Sequence, residues 1–313
     1  MEDHNFEEFI KTVKSRNQLT LFIGAGINAG LIPLWDDLLS RLVGYCTKSF
    51  PDFLILDQAS KKDVLKEISM VNPYEKASIV KHYLNQEYLP ALREILYSNF
   101  NFKDLKSTEF ERKYPFLFNV AKLSQNPIIT SIVSYNYDEI LSILINSNGG
   151  RPTACIFGSK SFDHKGNNVL PVYYIHGFVP LHLKIPKDVD SAIVLSQDEY
   201  FNFMINDQSW QTIFQLNLLM NTPCLFLGCS LSDLNMLRLL ALAIKGKTSL
   251  SVFNLTINEY FQKGKSSGSA NTLYNIKNRL FNEYGVKVIN AGSSYNEIPK
   301  VISKIIKRLN NEN

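Results

Sequence analysis

Seven short apolar runs, each four to seven residues long, constrain the fold of this chain more than any other feature. The runs are Gln18–Ile23, Pro127–Val133, Val169–Ile175, Ala192–Leu195, Thr222–Leu227, Leu250–Leu255 and Val286–Ile289. Runs of this kind suit strands that are buried on both faces, as in a parallel sheet covered by helices. Helical apolar spacing separates several of them, for instance over Leu34–Val43 and Leu234–Ile244. The alternation predicts an α/β, Rossmann-like fold with a mostly parallel sheet and helices on both faces.

One long interval interrupts this alternation. Between Thr47 and Gln125 no segment has the pattern of a buried strand, whereas Asp63–Met70, Tyr74–Leu84 and Leu89–Tyr97 have helical apolar spacing. We therefore expect a Rossmann-like domain over residues 1–46 and 126–313, with a helical insertion over residues 47–125. The polar, turn-rich segment Gly149–Val169 predicts a second, shorter insertion that forms a hairpin or loop.

Composition narrows the class of protein. Of 313 residues, 45% are hydrophobic and 20% are charged, which is typical of a globular protein and not of a disordered one. The N-terminus has no apolar signal-peptide region, and the best apolar stretches are far too short to cross a bilayer. We therefore expect a cytoplasmic protein with no membrane partner. The four cysteines include no C-x-x-C pair, so we expect no zinc module and no bound metal.

Charge is distributed unevenly along the chain. The net charge is +4, and the segment from Ala241 onward has 11 basic and 4 acidic residues, a balance of +7. Such a region suits contact with nucleic acid or an acidic partner, and equally a solvated helix face. Proteins that bind single strands often interleave aromatic and basic residues, and this region shows no such pattern. The nucleic-acid interpretation therefore has no further support.

The first apolar run ends in a glycine-rich turn, and Leu19–Pro33 has the sequence LTLFIGAGINAGLIP. Glycines between a strand and a helix let the backbone approach a pyrophosphate, and the helix N-terminus supplies N–H donors. Gly24, Ala25 and Gly26 are therefore candidate nucleotide-binding residues. The strict G-x-G-x-x-G pattern is not met, because residue 29 is alanine. Tight packing alone would also explain the glycines.

Polar or small residues follow three more strands at the same end of the predicted sheet. Asn136 and Asp138 lie in SYNYD, His176 lies in YIHG, and Gly228 and Ser230 lie in GCSLSD. Ligands of open α/β sheets bind outside the carboxyl ends of the strands, so these loops are expected to share one site. Each residue type also has a structural interpretation. Asp138 would cap the next helix, and a lone histidine at a strand end is often a satisfied structural group.

The four segments also resemble a known family. In order, GAGIN…IP, SYNYD, YIHG and GCSLSD resemble the sirtuin motifs GAGIS…GIP, T-Q-N-x-D, HG and G-T/F-S-L. Within that superfamily the chain looks most like the zinc-less sirtuin-like domains of bacterial anti-phage defence proteins. Their G-x-S-x-x-D, T-x-N-Y-D and V-L-x-x-x-x-Y segments are similar to GCSLSD, SYNYD and VLSQDEY here. The resemblance implies hydrolysis of NAD as substrate, without a metal.

The resemblance also implies roles for the matching positions. Asn136 would place the attacking water, and His176 would be the acid–base group facing the ribose. The other residues implied to bind NAD are Gly24, Ala25 and Gly26 at the pyrophosphate, Asn28 in place of the family's serine, Asp138 at the carboxamide or its loop, Gly228 and Ser230 at the adenosine side, and Asn254 near the adenosine ribose. The chain departs from the family where N-x-E reads N-L-T, and where Trp35 and Asp36 replace the arginine after IP.

Three functions stay open at this point. The first is an NAD hydrolase that depletes NAD in abortive infection. Such an enzyme needs an off state, so we expect a homo-oligomer controlled by a separate defence partner, for which the resemblance suggests a helicase-type ATPase or a phage-derived trigger. The second is an NAD-dependent protein deacylase or ADP-ribosyltransferase, which the lack of a zinc module disfavours. The third is a nucleotide-binding regulatory module without turnover.

Overall fold

The apolar runs form a central parallel sheet. The computed structural model describes residues 4–49, 51–149, 151–158, 168–182, 193–206, 208–246 and 249–311. The strands found there are β1 (Leu19–Ile23), β2 (Ile129–Ser134), β3 (Thr153–Ile156), β4 (Leu170–Tyr174), β5 (Cys224–Leu227), β6 (Val252–Thr256) and β7 (Val286–Asn290). They form one sheet in the order β3-β4-β2-β1-β5-β6-β7, and all neighbouring pairs are parallel. The predicted α/β fold is confirmed.

Both faces of the sheet are buried, as expected from runs in which apolar and polar residues do not alternate. All five residues of β1 are buried. Leu21 and Ile23 pack into one core cluster, whereas Phe22 between them packs into the other. Phe22 stacks on Phe226 of β5 with ring centroids 4.5 Å apart. A strand with this environment has no position for a solvated polar side chain, so the sequence shows a continuous apolar run.

Helices cover both faces. Those in the described residues are α1 (His4–Arg16), α2 (Trp35–Ser49), α3 (Pro51–Leu54), α4 (Gln58–Met70), α5 (Pro73–Leu84), α6 (Tyr88–Leu96), α7 (Thr108–Lys113), α8 (Pro115–Leu123), α9 (Ile140–Ser147), α10 (Gln197–Ile205), α11 (Trp210–Asn221), α12 (Leu234–Gly246), α13 (Glu259–Gln262), α14 (Ser267–Glu283) and α15 (Ile298–Leu309). The core on one face includes residues of α1, α2, α8, α9 and α15. The core on the other face includes residues of α10, α11, α12 and α14.

The segment between α2 and β2 is helical, as predicted. Asn72 caps α5 by accepting the Glu75 N–H, and Pro73 follows at the first helical position. From α5, Lys81 forms an ion pair with Glu199 of α10, and the Gln197 N–H donates to Ser78 Oγ at 3.0 Å. These contacts join the inserted helices to the rest of the molecule. The division at residues 46 and 126 stays a prediction, and α8 packs beside α9 and α15 on the sheet.

Two expectations from the sequence were wrong. Thr153–Ile156, inside the segment expected to be a hairpin or loop, forms the edge strand β3 beside β4. The segment expected to be a strand at Ala192–Leu195 is not one over 193–195, and Ala192 lies outside the described residues. β4 already has β2 and β3 as neighbours, so no free edge remained beside it. Val194 instead donates its N–H to the His176 carbonyl at 2.8 Å.

Candidate functional site

A cleft lies at the carboxyl edge of the sheet, where the chain order reverses. The chain moves from β1 to β2 on one side, and it later places β5 on the other side of β1. Such a switch point leaves a crevice between the loops that follow the neighbouring strands. The cleft has a volume of about 640 Å³, within the range of small-molecule sites. The predicted site residues that line it are Gly24, Ala25, Gly26, Asn28, Asn136, Asp138, His176, Gly228, Ser230 and Asn254. All ten therefore meet in one cleft.

The glycines of the β1 and β5 loops pack directly against one another. Gly24 N–H donates to the Leu227 carbonyl and Gly26 N–H donates to the Gly228 carbonyl, both at 3.0 Å. A Cβ added to Gly24 would lie 2.6 Å from the Gly228 oxygen, and one added to Gly228 would lie 2.5 Å from the backbone nitrogen of Ile27. Gly228 also has a φ of +68°, which favours glycine. These glycines thus join two loops, and packing explains them without a ligand.

The β5 loop continues in a conformation that packing must hold. Leu231 has a φ of +54°, rare for a bulky residue, and its side chain is buried. Ser230 Oγ lies 2.6 Å from Ser232 Oγ on the exposed side of the loop. Asp233 accepts the Met236 N–H at 2.8 Å, which caps α12. The loop therefore presents one serine pair and one carboxylate to the cleft.

The β2 loop presents a neutral amide. Asn136 is buried, and its Nδ2 donates to the Gly24 carbonyl at 3.3 Å. Its backbone N–H donates to Ser134 Oγ at 3.2 Å. The side chain of Asn136 is thereby held against the β1 loop by its nitrogen. Its carboxamide oxygen makes no protein hydrogen bond among the described residues, so it is available as an acceptor.

Behind this amide lies a buried carboxyl group. Asp138 accepts from Asn28 Nδ2 at 3.1 Å on both oxygens, and from the Ile140 N–H at 3.0 Å. Burial raises the pKa of Asp138 to about 6, against the opposing effect of these hydrogen bonds. The Asn28 Oδ1 atom is buried and has no partner within the described ranges. Asp138 thus accepts a free N–H of the first turn of α9, although Glu139 and not Asp138 is the N-cap residue, and it lines the cleft as well.

His176 lies two residues after the end of β4, before a sharp turn at Gly177 with a φ of +94°. Its ring packs edge-on against Tyr135 and Phe203, with centroids 5.2 and 5.6 Å away. Burial lowers the pKa of His176, whereas the Asp233 carboxylate acts in the opposite direction. The buried Nε2 has no hydrogen-bond partner in the described part of the chain. His176 is therefore a poor fit to a satisfied structural histidine.

The far end of the cleft is formed by β6 and α14. Asn254 is 2% exposed, and neither its Oδ1 nor that of Asn278 on α14 has a partner among the residues described. Glu259 accepts from Lys277 at 2.5 Å and pairs with Lys263 at 3.1 Å. The cleft-lining residues Glu259, Lys277 and Asn278 were missed, because no motif in the sequence marks them.

Aromatic side chains close the other end. The ring centroids of Trp35 in α2 and Tyr74 in the inserted helix α5 lie 6.0 Å apart. The ring centroids of Tyr74 and Tyr200 of α10 lie 4.6 Å apart. All three line the cleft. Trp35 was named from the sequence only as a departure from the family's arginine, two residues after the first motif. Tyr74 could not have been found, because it lies in a helix far from any motif.

No cluster of three or more His, Cys, Asp or Glu side chains with metal-binding geometry occurs within the described residues. In the same part of the chain, no helix is both long and apolar enough to span a membrane.

A parallel sheet with a ligand-sized cleft at its switch point defines a Rossmann-like ligand-binding protein. A family model described as SIR2-like domain matches residues 130–289, which is more than half of the chain. The chain therefore belongs to the SIR2-like domain family, and it has a sirtuin-type function related to NAD. The match includes every predicted site residue from Asn136 to Asn254, whereas Gly24–Asn28 lie before it. No curated protein matches the chain.

Proposed function

We propose that the protein is an NAD glycohydrolase that uses water to cleave the nicotinamide–ribose bond, releasing nicotinamide, ADP-ribose and a proton. The observation that carries this proposal is the meeting of Asn136 and His176, both buried, in the cleft beside Gly24 and Gly26. A neutral amide and an imidazole suit a reaction that needs a placed water and a proton acceptor, with no protein nucleophile.

The cleft also fits a dinucleotide. Its volume is sufficient for an elongated ligand, and the glycine loops bring the backbone to its floor. Because the Gly26 N–H is used by Gly228, the exposed Ala25 is the part of the β1 loop best placed for the pyrophosphate. Unpaired polar atoms occur on Asn28 and Asn254, which both line the cleft. Unpaired buried polar atoms are costly, and a polar ligand would supply their partners.

The roles follow from these contacts. Asn136 is fixed through its nitrogen, so its oxygen accepts a hydrogen bond from the attacking water. His176 is neutral near pH 7 because burial lowers its pKa, so its free nitrogen takes a proton from water or a ribose hydroxyl. Asp138 and Asn28 face the leaving carboxamide as a polar pair. Gly228 and Ser230 line the adenosine side, and Asn254 reaches the adenosine ribose.

The biological setting is part of the same proposal. A constitutive NAD hydrolase would harm its own cell, so control is required. We propose anti-phage defence in the cytoplasm, with a homo-oligomer controlled by a separate partner, such as a helicase-type ATPase or a phage-derived trigger.

The test is product analysis with NAD as the only substrate. The wild-type chain, alone and with its genomic neighbours' products, is expected to release nicotinamide and ADP-ribose. Products that require an acetylated peptide would instead indicate a deacylase, and cyclic ADP-ribose a cyclase. Stoichiometric binding of NAD without any nicotinamide release would indicate a regulatory module.

Site variants test the assignment of residues. Asn136→Ala and His176→Ala are each expected to abolish NAD loss, whereas the exposed controls Asn275→Ala and His82→Ala should retain it. Thermal melting checks that all four variants fold. Wild-type rates in either cleft variant would show that the assignment of that residue is wrong.

A further inference from the structure

One phenol from the inserted helices joins the two loops that carry Asn136 and His176. Tyr97, the C-cap residue directly after α6, donates its hydroxyl proton to the Val179 carbonyl at 2.7 Å. The same oxygen accepts the Glu139 N–H at 3.0 Å. Glu139 is three residues after Asn136, and Val179 is three residues after His176. Tyr97 therefore bonds both catalytic loops at once, through a single atom.

The two loops have further bonds around this point. Val179 N–H donates to the Tyr137 carbonyl at 2.8 Å, and Leu181 N–H donates to the Glu139 carboxylate at 2.6 Å. Tyr97 is 7% exposed and Val179 is fully buried, so water is a poor replacement for the phenol. Buried backbone groups that lose a partner must shift to find another. Removing the hydroxyl is thus expected to change the spacing of the loops.

We propose that Tyr97 is a positioning residue through which the helical insertion sets the distance between Asn136 and His176. Tyr97 does not line the cleft, so it acts through the loops and not on the ligand. The catalytic part of this inference rests on the proposed NAD hydrolase. Its structural part, the holding of the two loops, does not. The insertion is thereby a component of the site and not only a cover over the sheet.

The test compares three variants that each remove one buried hydroxyl. Tyr97→Phe removes the hydroxyl that bonds both loops, a group that we call the Tyr97 joint. Tyr174→Phe removes a hydroxyl that lies 3.1 Å from Ser142 Oγ, away from the cleft. Tyr88→Phe, at the first residue of α6, removes a buried hydroxyl without a partner in the described residues. Rates at saturating and limiting NAD separate kcat from KM. Deuterium exchange of peptides covering 135–140 and 176–181 reports on the loops without NAD.

Tyr97→Phe is expected to lower kcat by about 10- to 100-fold with KM within about twofold, because small displacements of catalytic groups have effects of this size. Exchange in both loop peptides should rise in this variant, and neither control should show either effect. A kcat loss no larger than in Tyr174→Phe would overturn the proposal. If the wild-type chain does not cleave NAD, the proposed function fails, and the exchange data decide alone. Faster exchange would then support the Tyr97 joint, and unchanged exchange would overturn it.

Discussion

The buried carboxyl group of Asp138 leads to a prediction about pH and stability. The pKa of Asp138 is about 6 in the folded chain, against an ordinary value of 3.8. Because the folded pKa lies above the unfolded one, the folded state holds this proton more tightly. The protonated Asp138 therefore makes its whole contribution to the free energy of unfolding below pH 3.8. This contribution is lost as the pH rises to about 6.

The size of the effect follows from the two pKa values. Their difference, about two units at 1.36 kcal/mol each, is about 3 kcal/mol. Asp138→Asn removes this dependence, since an amide does not ionise. The new amide keeps an oxygen for the Ile140 N–H. The nitrogen of the new amide can donate to the unpaired Oδ1 of Asn28 once the side-chain amide of Asn28 has flipped. The stability of Asp138→Asn relative to wild type should thus increase by about 2 kcal/mol between pH 4 and pH 7.

Urea unfolding followed by tryptophan fluorescence, at half-unit steps from pH 4 to pH 7.5, measures this difference. Most of the change should occur below pH 6, with little further change above pH 7. Asp63→Asn, at an exposed position on α4, controls for the loss of one negative charge. A stability difference between Asp138→Asn and wild type that is constant across the range, or that shrinks with rising pH, would refute the assignment of a buried, weakly acidic carboxyl group.

Two further predictions concern the loops. Gly228→Ala should lower the melting temperature more than Gly264→Ala does. Both glycines have a φ near +67°, which costs alanine roughly 1–2 kcal/mol, but only at Gly228 would the new Cβ meet the Ile27 backbone, at 2.5 Å. Equal losses would show that the loops separate freely. Asp233→Asn, which keeps an acceptor for the α12 cap, should shift the acid limb of the kcat/KM profile to lower pH, because that carboxylate raises the pKa of His176. A shift to higher pH would contradict His176 as the base.

The sequence was most informative where burial leaves little choice of residue. Six of the seven apolar runs became strands because residues such as Phe22 and Leu21 face opposite cores. β3 was missed because an edge strand of four residues, Thr153–Ile156, is mostly half-buried and needs no continuous apolar run. The opposite error occurred at Ile193–Leu195, where burial is real but comes from packing and one bond to His176. An apolar run predicts that a segment is buried. The segment becomes a strand only if a sheet edge is available for it to pair with.

The candidate site was predictable only in part, for a related reason. Residues that follow strands, such as Asn136 and His176, meet because parallel strands end at one edge. Lys277 and Tyr74 reach the cleft from helices whose positions depend on packing over the whole molecule. Tyr97 belongs to the same group, since its two partners are 42 and 82 residues away in the chain. No local pattern records contacts of this kind.

The glycines of the first motif show how one residue type can satisfy two requirements. Their Cβ positions are filled by the backbone of the neighbouring loop, so packing alone demands glycine at Gly24, Gly26 and Gly228. The same close approach brings the β1 and β5 loops together at the switch point, where the crevice forms. A substitution here would separate the loops and so widen any pyrophosphate site between them. Loss of NAD binding in such a variant therefore cannot by itself show that these glycines touch the ligand. The exposed Ala25, whose side chain is free of that packing, is the position where contact with the ligand can be tested separately.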